Sequence, residues 1–389
     1  MPELSRRVQT FTDSVIRRMT RINNMTPGSI NLSQGFPDFD PPKEILEALK
    51  AAAEHGPHQY SITFGAKNFR DALADMYTKK WNRPIDPDKE IVVTCGGTEA
   101  MMAAMMTVCN PGDKVAVFSP FYENYGADAI LSGADPVYVP LVPPDFHYDS
   151  EALERAFQAG AKALILCNPS NPCGKVFTME EMEEIAELAK RYDAFVITDE
   201  VYEYIIYGEN RHISMAALPG MYERTITCSS LSKTYSMTGW RLGYAACNEE
   251  IVKTVNKLHQ HVVTCATSFV QKAGVVALKE EKNEVTDMVK EYQRRRDYAV
   301  KAINEIDGLS CRCPKGAFYI FINIEKLGMT GQEFAPLLLE NAKVALVPGD
   351  VFGTEGDHYV RMSFANSYEN VVEGCKRLKE FVEKLRRNK

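Results

Sequence analysis

One lysine in this chain stands among small hydroxyl residues, in the run Ser230-Leu231-Ser232-Lys233-Thr234-Tyr235-Ser236-Met237-Thr238-Gly239-Trp240-Arg241-Leu242-Gly243. A lysine amine can condense with a carbonyl to form a Schiff base, and pyridoxal phosphate is the commonest carbonyl cofactor held in this way. Ser230 and Arg241 offer a hydrogen bond and a positive charge suited to a phosphate. A lone Ser-x-Lys is ordinarily a lysine in a polar loop; the length of this pattern argues for chemistry.

Other residues suit the same chemistry. Asp199 closes the apolar run Val196-Ile197-Thr198-Asp199, and ligands of open α/β sheets gather at the carboxyl ends of strands. Pyridoxal chemistry needs a carboxylate that keeps the pyridine nitrogen protonated. Alone, an Asp at a strand end is more often a cap or a metal ligand; its place upstream of Lys233 favours the cofactor. Tyr202 can donate to the phenolic oxygen of the ring. Asn168-Pro169-Ser170-Asn171-Pro172-Cys173-Gly174 reads as a tight turn, and the amide of Asn171 suits that oxygen too. Thr94-Cys95-Gly96-Gly97-Thr98 joins a strand to a helix. Exposed N–H groups and the helix dipole make Gly97 and Thr98 candidate phosphate contacts. Arg361 lies inside the apolar strand-like run Tyr359-Val360-Arg361-Met362-Ser363. A desolvated guanidinium requires a partner: an α-carboxylate gripped bidentately, or a structural salt bridge.

These residues need a scaffold that brings strand ends together. At 389 residues the chain is too long for one ordinary core and implies two domains. Apolar runs at 91–94, 114–118, 163–167, 194–198 and 225–228 alternate with helical patterns, among them 178–192. That rhythm predicts an α/β fold with a largely parallel sheet covered by helices. Residues 241–247 read as a further strand. A charged helix over 280–306 leads into a region of different texture, with strand-like runs near 317–322, 344–348 and 359–364 and helices over 331–341 and 368–386. The resulting division is an N-terminal arm and substrate loop over 1–42 packing with the small domain, a large cofactor-binding domain over 43–285, and a smaller α+β domain over 286–389.

Composition narrows the partners. Forty-five basic against 52 acidic residues give a formal charge of −7, which argues against nucleic acid or an anionic membrane. No apolar run approaches the roughly 18 residues of a spanning helix. Ten cysteines without a Cys-x-x-Cys pair read as reduced thiols of a cytoplasmic protein. No metal site is expected. His259 and His261 fall on different faces of a helix, and the spacing of Cys311 and Cys313 suits neither zinc nor redox chemistry. Leu4, Val8, Phe11, Val15 and Met19 form an amphipathic stripe. It resembles a presequence in its arginines, but Glu3 and Asp13 favour a docking helix of the mature protein.

Taken together and in order, these motifs closely resemble those of the class I and II aminotransferases, the fold-type I pyridoxal-phosphate enzymes, over nearly the whole chain. The resemblance implies a large domain built on a mostly parallel seven-stranded sheet, with the strand after Arg241 antiparallel, plus a smaller α+β domain. It implies that Lys233 carries the cofactor, with Asp199 and Tyr202 as its catalytic partners. It also implies that Tyr122, after Pro120-Phe121, stacks on the ring; packing at the sheet edge is the other reading. Gly35, in Asn31-Leu32-Ser33-Gln34-Gly35-Phe36-Pro37-Asp38-Phe39, would contact the substrate carboxylate, and Tyr122 and Asn171 would also face the substrate. Arg361 matches the family's carboxylate clamp. Tyr60, in His58-Gln59-Tyr60-Ser61-Ile62-Thr63-Phe64-Gly65, matches a tyrosine that reaches the phosphate bound by the neighbouring subunit, which implies a homodimer with shared sites. Cys173 stands where the family's turn frequently has Thr.

The activity implied is ping-pong transamination from an α-amino acid to a 2-oxo acid, with 2-oxoglutarate as an expected acceptor. The closest branch includes kynurenine, glutamine-phenylpyruvate and methionine aminotransferases, with aspartate and aromatic ones close behind. Thr98 stands where some acid-specialised members carry a lysine, and no second arginine has a context that replaces it. Tyr122 and Phe36 offer apolar contact, so the expected substrate side chain is uncharged or aromatic. Two alternatives remain. One is a cysteine-S-conjugate or cystathionine-type β-lyase on the same scaffold. The other is a non-catalytic cofactor-sensing regulator, which would carry a basic DNA-binding extension ahead of Asn31.

Overall fold

The computed structural model describes residues 3–5, 9–11, 13–279 and 283–387. Its strands, in chain order, are β1 Ile30–Asn31, β2 Ile91–Thr94, β3 Lys114–Ser119, β4 Asp135–Val142, β5 His147–Tyr148, β6 Ala161–Cys167, β7 Phe195–Asp199, β8 Thr225–Ser230, β9 Gly243–Ala246, β10 Tyr319–Asn323, β11 Val344–Ala345, β12 Val347–Pro348 and β13 Tyr359–Ser363.

The principal sheet has the order β2-β9-β8-β7-β6-β3-β4-β5. Strands β8, β7, β6, β3 and β4 run parallel, and β9 is antiparallel to both β8 and β2. Seven strands form the sheet the family resemblance implies; the two-residue β5 folds back on β4 as an eighth. Helices cover both faces. On one side Gly97–Val108 contributes Ala100, Ala104 and Met105 to a core with Val115, Ile165, Ile197 and Cys228. On the other, Met179–Arg191 buries Met182, Ile185 and Ala189 with Leu164 and Val196. The latter helix starts on a capping box, in which the side chains of Thr178 and Glu181 satisfy each other's backbone amides. Every residue of β2, β8 and β9 is buried, as expected of strands covered on both faces.

A second sheet, β10-β13-β12, is antiparallel, and β1 pairs parallel with β11. Through β1 the N-terminal segment joins the part of the chain that contains β13. The 22-residue helix Asn283–Asn304 and the C-terminal helix Tyr368–Arg387 pack on each other beside this sheet.

Three expectations need correction. Strand β4 is absent from the periodicity reading because Pro136 and Pro140 interrupt the run. It lies near the sheet edge, where a missing donor is tolerated. The strand expected from Arg241 starts at Gly243, since Arg241 is in the left-handed region at φ 54°. The N-terminal helix spans only Val15–Asn24, because Ser14 caps it by accepting from the Arg17 amide. Of the predicted stripe, Val15 and Met19 belong to that helix, Leu4 is exposed, Phe11 is half-buried and Val8 lies outside the described residues. So do Arg6 and Arg7, and the expected start of the long helix at Glu280. Among the described residues no helix is long and apolar enough to cross a membrane, and all ten cysteines are free.

Candidate active site

The carboxyl ends of β7 and β8, the turn after β6 and the start of the helix after β2 converge on one cavity of about 770 Å³. Gly35, Gly97, Thr98, Tyr122, Asn171, Asp199, Tyr202, Ser230, Lys233, Arg241 and Arg361 all line it. Of the predicted site residues Tyr60 alone does not; its side chain is 81% exposed.

Lys233 follows β8 directly, and its Nζ donates to the Gly35 carbonyl. The rings of Tyr202 and Phe318 each lie 5.9 Å from that nitrogen. Burial pulls the amine down to about 8 against the opposing pull of Asp199, and the positive charges of Arg361 and Arg241 add to the depression. A lysine so placed has a substantial neutral, nucleophilic fraction near neutral pH.

Asp199, at the end of β7, is almost fully buried. Its Oδ2 accepts from the Tyr125 hydroxyl at 2.7 Å and its Oδ1 from the Val201 amide at 3.3 Å. Burial pushes this carboxyl up, while Tyr125, Val201 and the charge on Lys233 favour its ionised form. Beyond it Glu200 and Glu203 are buried on Lys80, and the imidazole of His212 lies 3.4 Å from Glu200. Burial presses His212 down to about 4.

The helix Gly97–Val108 points its first turn into the cavity. Gly96, at φ 85°, is a residue whose Cβ would fall 2.3 Å from Arg241 Nη2; a Cβ on Gly243 would lie 2.3 Å from the Gly96 carbonyl carbon. The two glycines therefore let β9, the arginine and the helix start approach closely. Arg241 donates to the Thr238 carbonyl at 2.9 Å, and Ser230 Oγ accepts from the Ser232 amide. The arrangement is a cradle of backbone N–H groups, a hydroxyl and a guanidinium, which matches an anion.

Arg361 comes from β13, across from Phe321 of β10 and Val347 of β12, and has no solvent exposure. It donates to Asn171 Oδ1 at 2.9 Å and to the Ser33 carbonyl at 2.8 Å. The Tyr319 ring lies 4.3 Å from its guanidinium carbon, and its Nε has no hydrogen-bond partner. Among the described residues it pairs with no carboxylate, so the structural salt bridge is not formed. Asn171 thus spends its carbonyl on Arg361 and keeps its amide donors for another partner.

Several lining residues escape the motif reading. Tyr125, Asp128 and Tyr319 lie between motifs, and only the fold brings Tyr319 to 2.9 Å from the hydroxyl of Tyr202. Asp128 is buried with Oδ2 unpartnered, and burial pushes it up to about 8. Arg17 and Arg21 of the N-terminal helix also line the cavity. The amphipathic pattern marks only that helix's opposite, buried face.

Residues 27–378 match the family model for aminotransferase class I and II. The aspartate aminotransferase of Pyrococcus abyssi is 40% identical over 97% of each chain. The aromatic-amino-acid aminotransferase 2 of Thermococcus litoralis is 38% identical over the same shares. The solved aspartate aminotransferase of Thermus thermophilus with maleate superposes with a TM-score of 0.92 at 31% identity, covering 98% of this chain and all of that one.

Proposed function

The chain belongs to the class I and II aminotransferases, enzymes that use pyridoxal 5′-phosphate to transfer amino groups, and from that premise we propose that Lys233 holds the cofactor here. The observation that carries the assignment is a buried lysine, with its ammonium form disfavoured, sharing one cavity with a buried aspartate and an arginine lacking a carboxylate. The donor set fits the group. Gly97, Thr98, Ser230 and Arg241 form an anion cradle, and the ring nitrogen suits Asp199. Tyr202 and the free amide donors of Asn171 suit the phenolic oxygen, and Tyr122 supplies an aromatic face.

Bound pyridoxal phosphate supplies an electron sink for negative charge at the substrate Cα. Lys233 Nζ, once free of the cofactor, would take the proton from the substrate Cα as general base and give it back, as general acid, at the cofactor carbon on the far side of the bridging nitrogen. Tyr125, Val201 and the charge on Lys233 favour the ionised form of Asp199 against its burial, the form that would hold a proton on the ring nitrogen. Arg361 grips the α-carboxylate in a dry setting and orients the Cα–H bond toward Lys233, which is where positioning contributes most. The same cavity serves both half-reactions, with 2-oxoglutarate as the proposed acceptor.

A homodimer completes the reading. Tyr60, exposed on one protomer, reaches the cofactor phosphate of the other. The proposed division is an arm over residues 1–42, a large domain over 43–285 and a small domain over 286–389. Ten free thiols fit a reducing cytoplasm.

Lys233→Ala tests the assignment. The visible absorbance of the bound cofactor and turnover should both disappear. Wild-type absorbance and turnover in that variant would refute it.

A further inference from the structure

We infer that Arg295 is a positioning residue: through Asp38 it holds the loop that carries Gly35 where the loop backbone meets the substrate's α-carboxylate. The inference rests on the reading of Gly35 and Arg361 as the carboxylate site.

Residues 32–42 form no helix or strand, so their placement rests largely on side-chain contacts. Upstream of Gly35, Gln34 Nε2 donates to the Ala365 carbonyl at 3.1 Å. Downstream, both carboxylate oxygens of Asp38 accept from Arg295 Nη1, at 2.8 and 2.9 Å. The Phe39 ring meets Tyr292 edge-on, with centroids 5.4 Å apart. Gly35 thus lies between two anchors. Its carbonyl accepts from Lys233, and the Ser33 carbonyl accepts from Arg361. A Cβ at Gly35 would fall 2.9 Å from the Tyr319 hydroxyl oxygen, so the loop runs close against that side chain. A shift of this loop would disturb the lysine and the arginine together.

Arg295 belongs to the helix Asn283–Asn304, and its side chain is only 6% exposed. A guanidinium so buried is costly without a counter-charge. On its own helix, Glu291 Oε1 accepts from Arg295 Nε at 2.9 Å. The same carboxylate also takes two bonds from Arg294, at 2.7 and 2.8 Å. Glu291 is therefore shared between two arginines, and Asp38 supplies the second negative charge from the loop. The Phe39 ring, 5.0 Å from the guanidinium carbon, packs against the same arginine. Burial weakens the screening that makes exposed pairs worth little. A pair that only stabilised the fold would act on the whole protein, whereas a positioning pair acts on the loop.

The experiment uses the holoenzyme and the variants Asp38→Asn, Arg295→Lys, Arg295→Met and the double variant Asp38→Asn/Arg295→Met. Asp38→Asn leaves Glu291 beside Arg295, so no buried charge is stranded. Kinetics use whichever of glutamate and phenylalanine the wild type turns over better, and hydrogen exchange is followed by mass spectrometry in peptides covering 33–39, β7 and β8. Asp38→Asn should raise KM about tenfold with kcat held within about twofold, because a contact made equally in ground and transition states is lost. Exchange in 33–39 should quicken about tenfold while β7 and β8 keep their protection. Arg295→Lys should recover part of both effects relative to Arg295→Met. The double variant should have a KM no higher than Arg295→Met alone, since the two side chains act as one unit. Unchanged loop exchange in Asp38→Asn would overturn the inference and leave the reading of Gly35 standing. Exchange that quickens equally in β7 and β8 would also overturn it, as a general loss of stability. A loop that loosens with no change in KM would instead refute the Gly35 reading, and the positioning role with it.

Discussion

The hydroxyl of Tyr125 donates to Asp199 Oδ2 at 2.7 Å, so a helix that follows β3 supports the charged form of a carboxylate at the end of β7. That bond opposes the burial that drives the same carboxyl toward its neutral form.

Tyr125→Phe should therefore raise the Asp199 pKa, because the hydrogen bond favours the ionised form. Loss of a bond to a charged group is worth about 1.5–3 kcal/mol. We expect kcat/KM to fall by roughly ten- to a hundredfold at neutral pH and the acid limb of its pH profile to move upward. An unshifted limb would count against this role.

Lys233 gives a second pH dependence. In the protein stripped of cofactor its amine lies near 8, and only the neutral form attacks a carbonyl. Recapture of added pyridoxal phosphate should accelerate as pH rises through about 8 and level off above it. Asp199 stabilises the ammonium form, so Asp199→Asn should move that midpoint to lower pH. Stopped-flow absorbance measures both.

Lys80 holds Glu200 and Glu203 in the interior. Despite burial, Lys80 and His212 keep Glu200 below its usual range, so its stabilising contribution is present above the unfolded pKa and is lost as pH falls. Lys80→Met removes the cation that both carboxylates share, at a cost of about 3–5 kcal/mol. Denaturant unfolding should show this deficit at pH 8 and a smaller one near pH 5, where the stranded glutamates take up protons.

Gly96→Ala would place a methyl 2.3 Å from Arg241 Nη2 on a backbone at φ 85°. Strain of about 1–3 kcal/mol would be relieved by displacing the guanidinium. The cofactor's dissociation constant should rise about tenfold or more, as read by titration of the stripped protein.

The elements and the chemical core of the cavity wall are legible chiefly where a residue sits at a strand end marked by a turn. Asp199, Asn171 and Lys233 are such cases, and the periodicity around them survives tertiary packing. The legibility failed where the signal lay in three dimensions. Tyr125 and Tyr319 belong to ordinary packed elements in sequence. Arg17 looks like any solvated arginine until β1 docks the N-terminal segment beside β11. Strand β4 was hidden by its prolines, which an edge position allows. Tyr60 could be named only through the family's pattern, since the chain leaves it exposed.

On its proposed role, Arg361 would give the folded protein an appetite for small organic acids that is independent of turnover. Its guanidinium is dry, is held only by neutral oxygens of Asn171 and Ser33, and retains one N–H without an acceptor. A carboxylate that seats there would bind the native state and stabilise it by mass action, by about 2.7 kcal/mol at a hundred times its dissociation constant. Acetate, citrate or succinate used as a buffer would thus raise the melting temperature while competing with the amino acid. The conditions under which this protein is most robust would then be those under which it works most slowly.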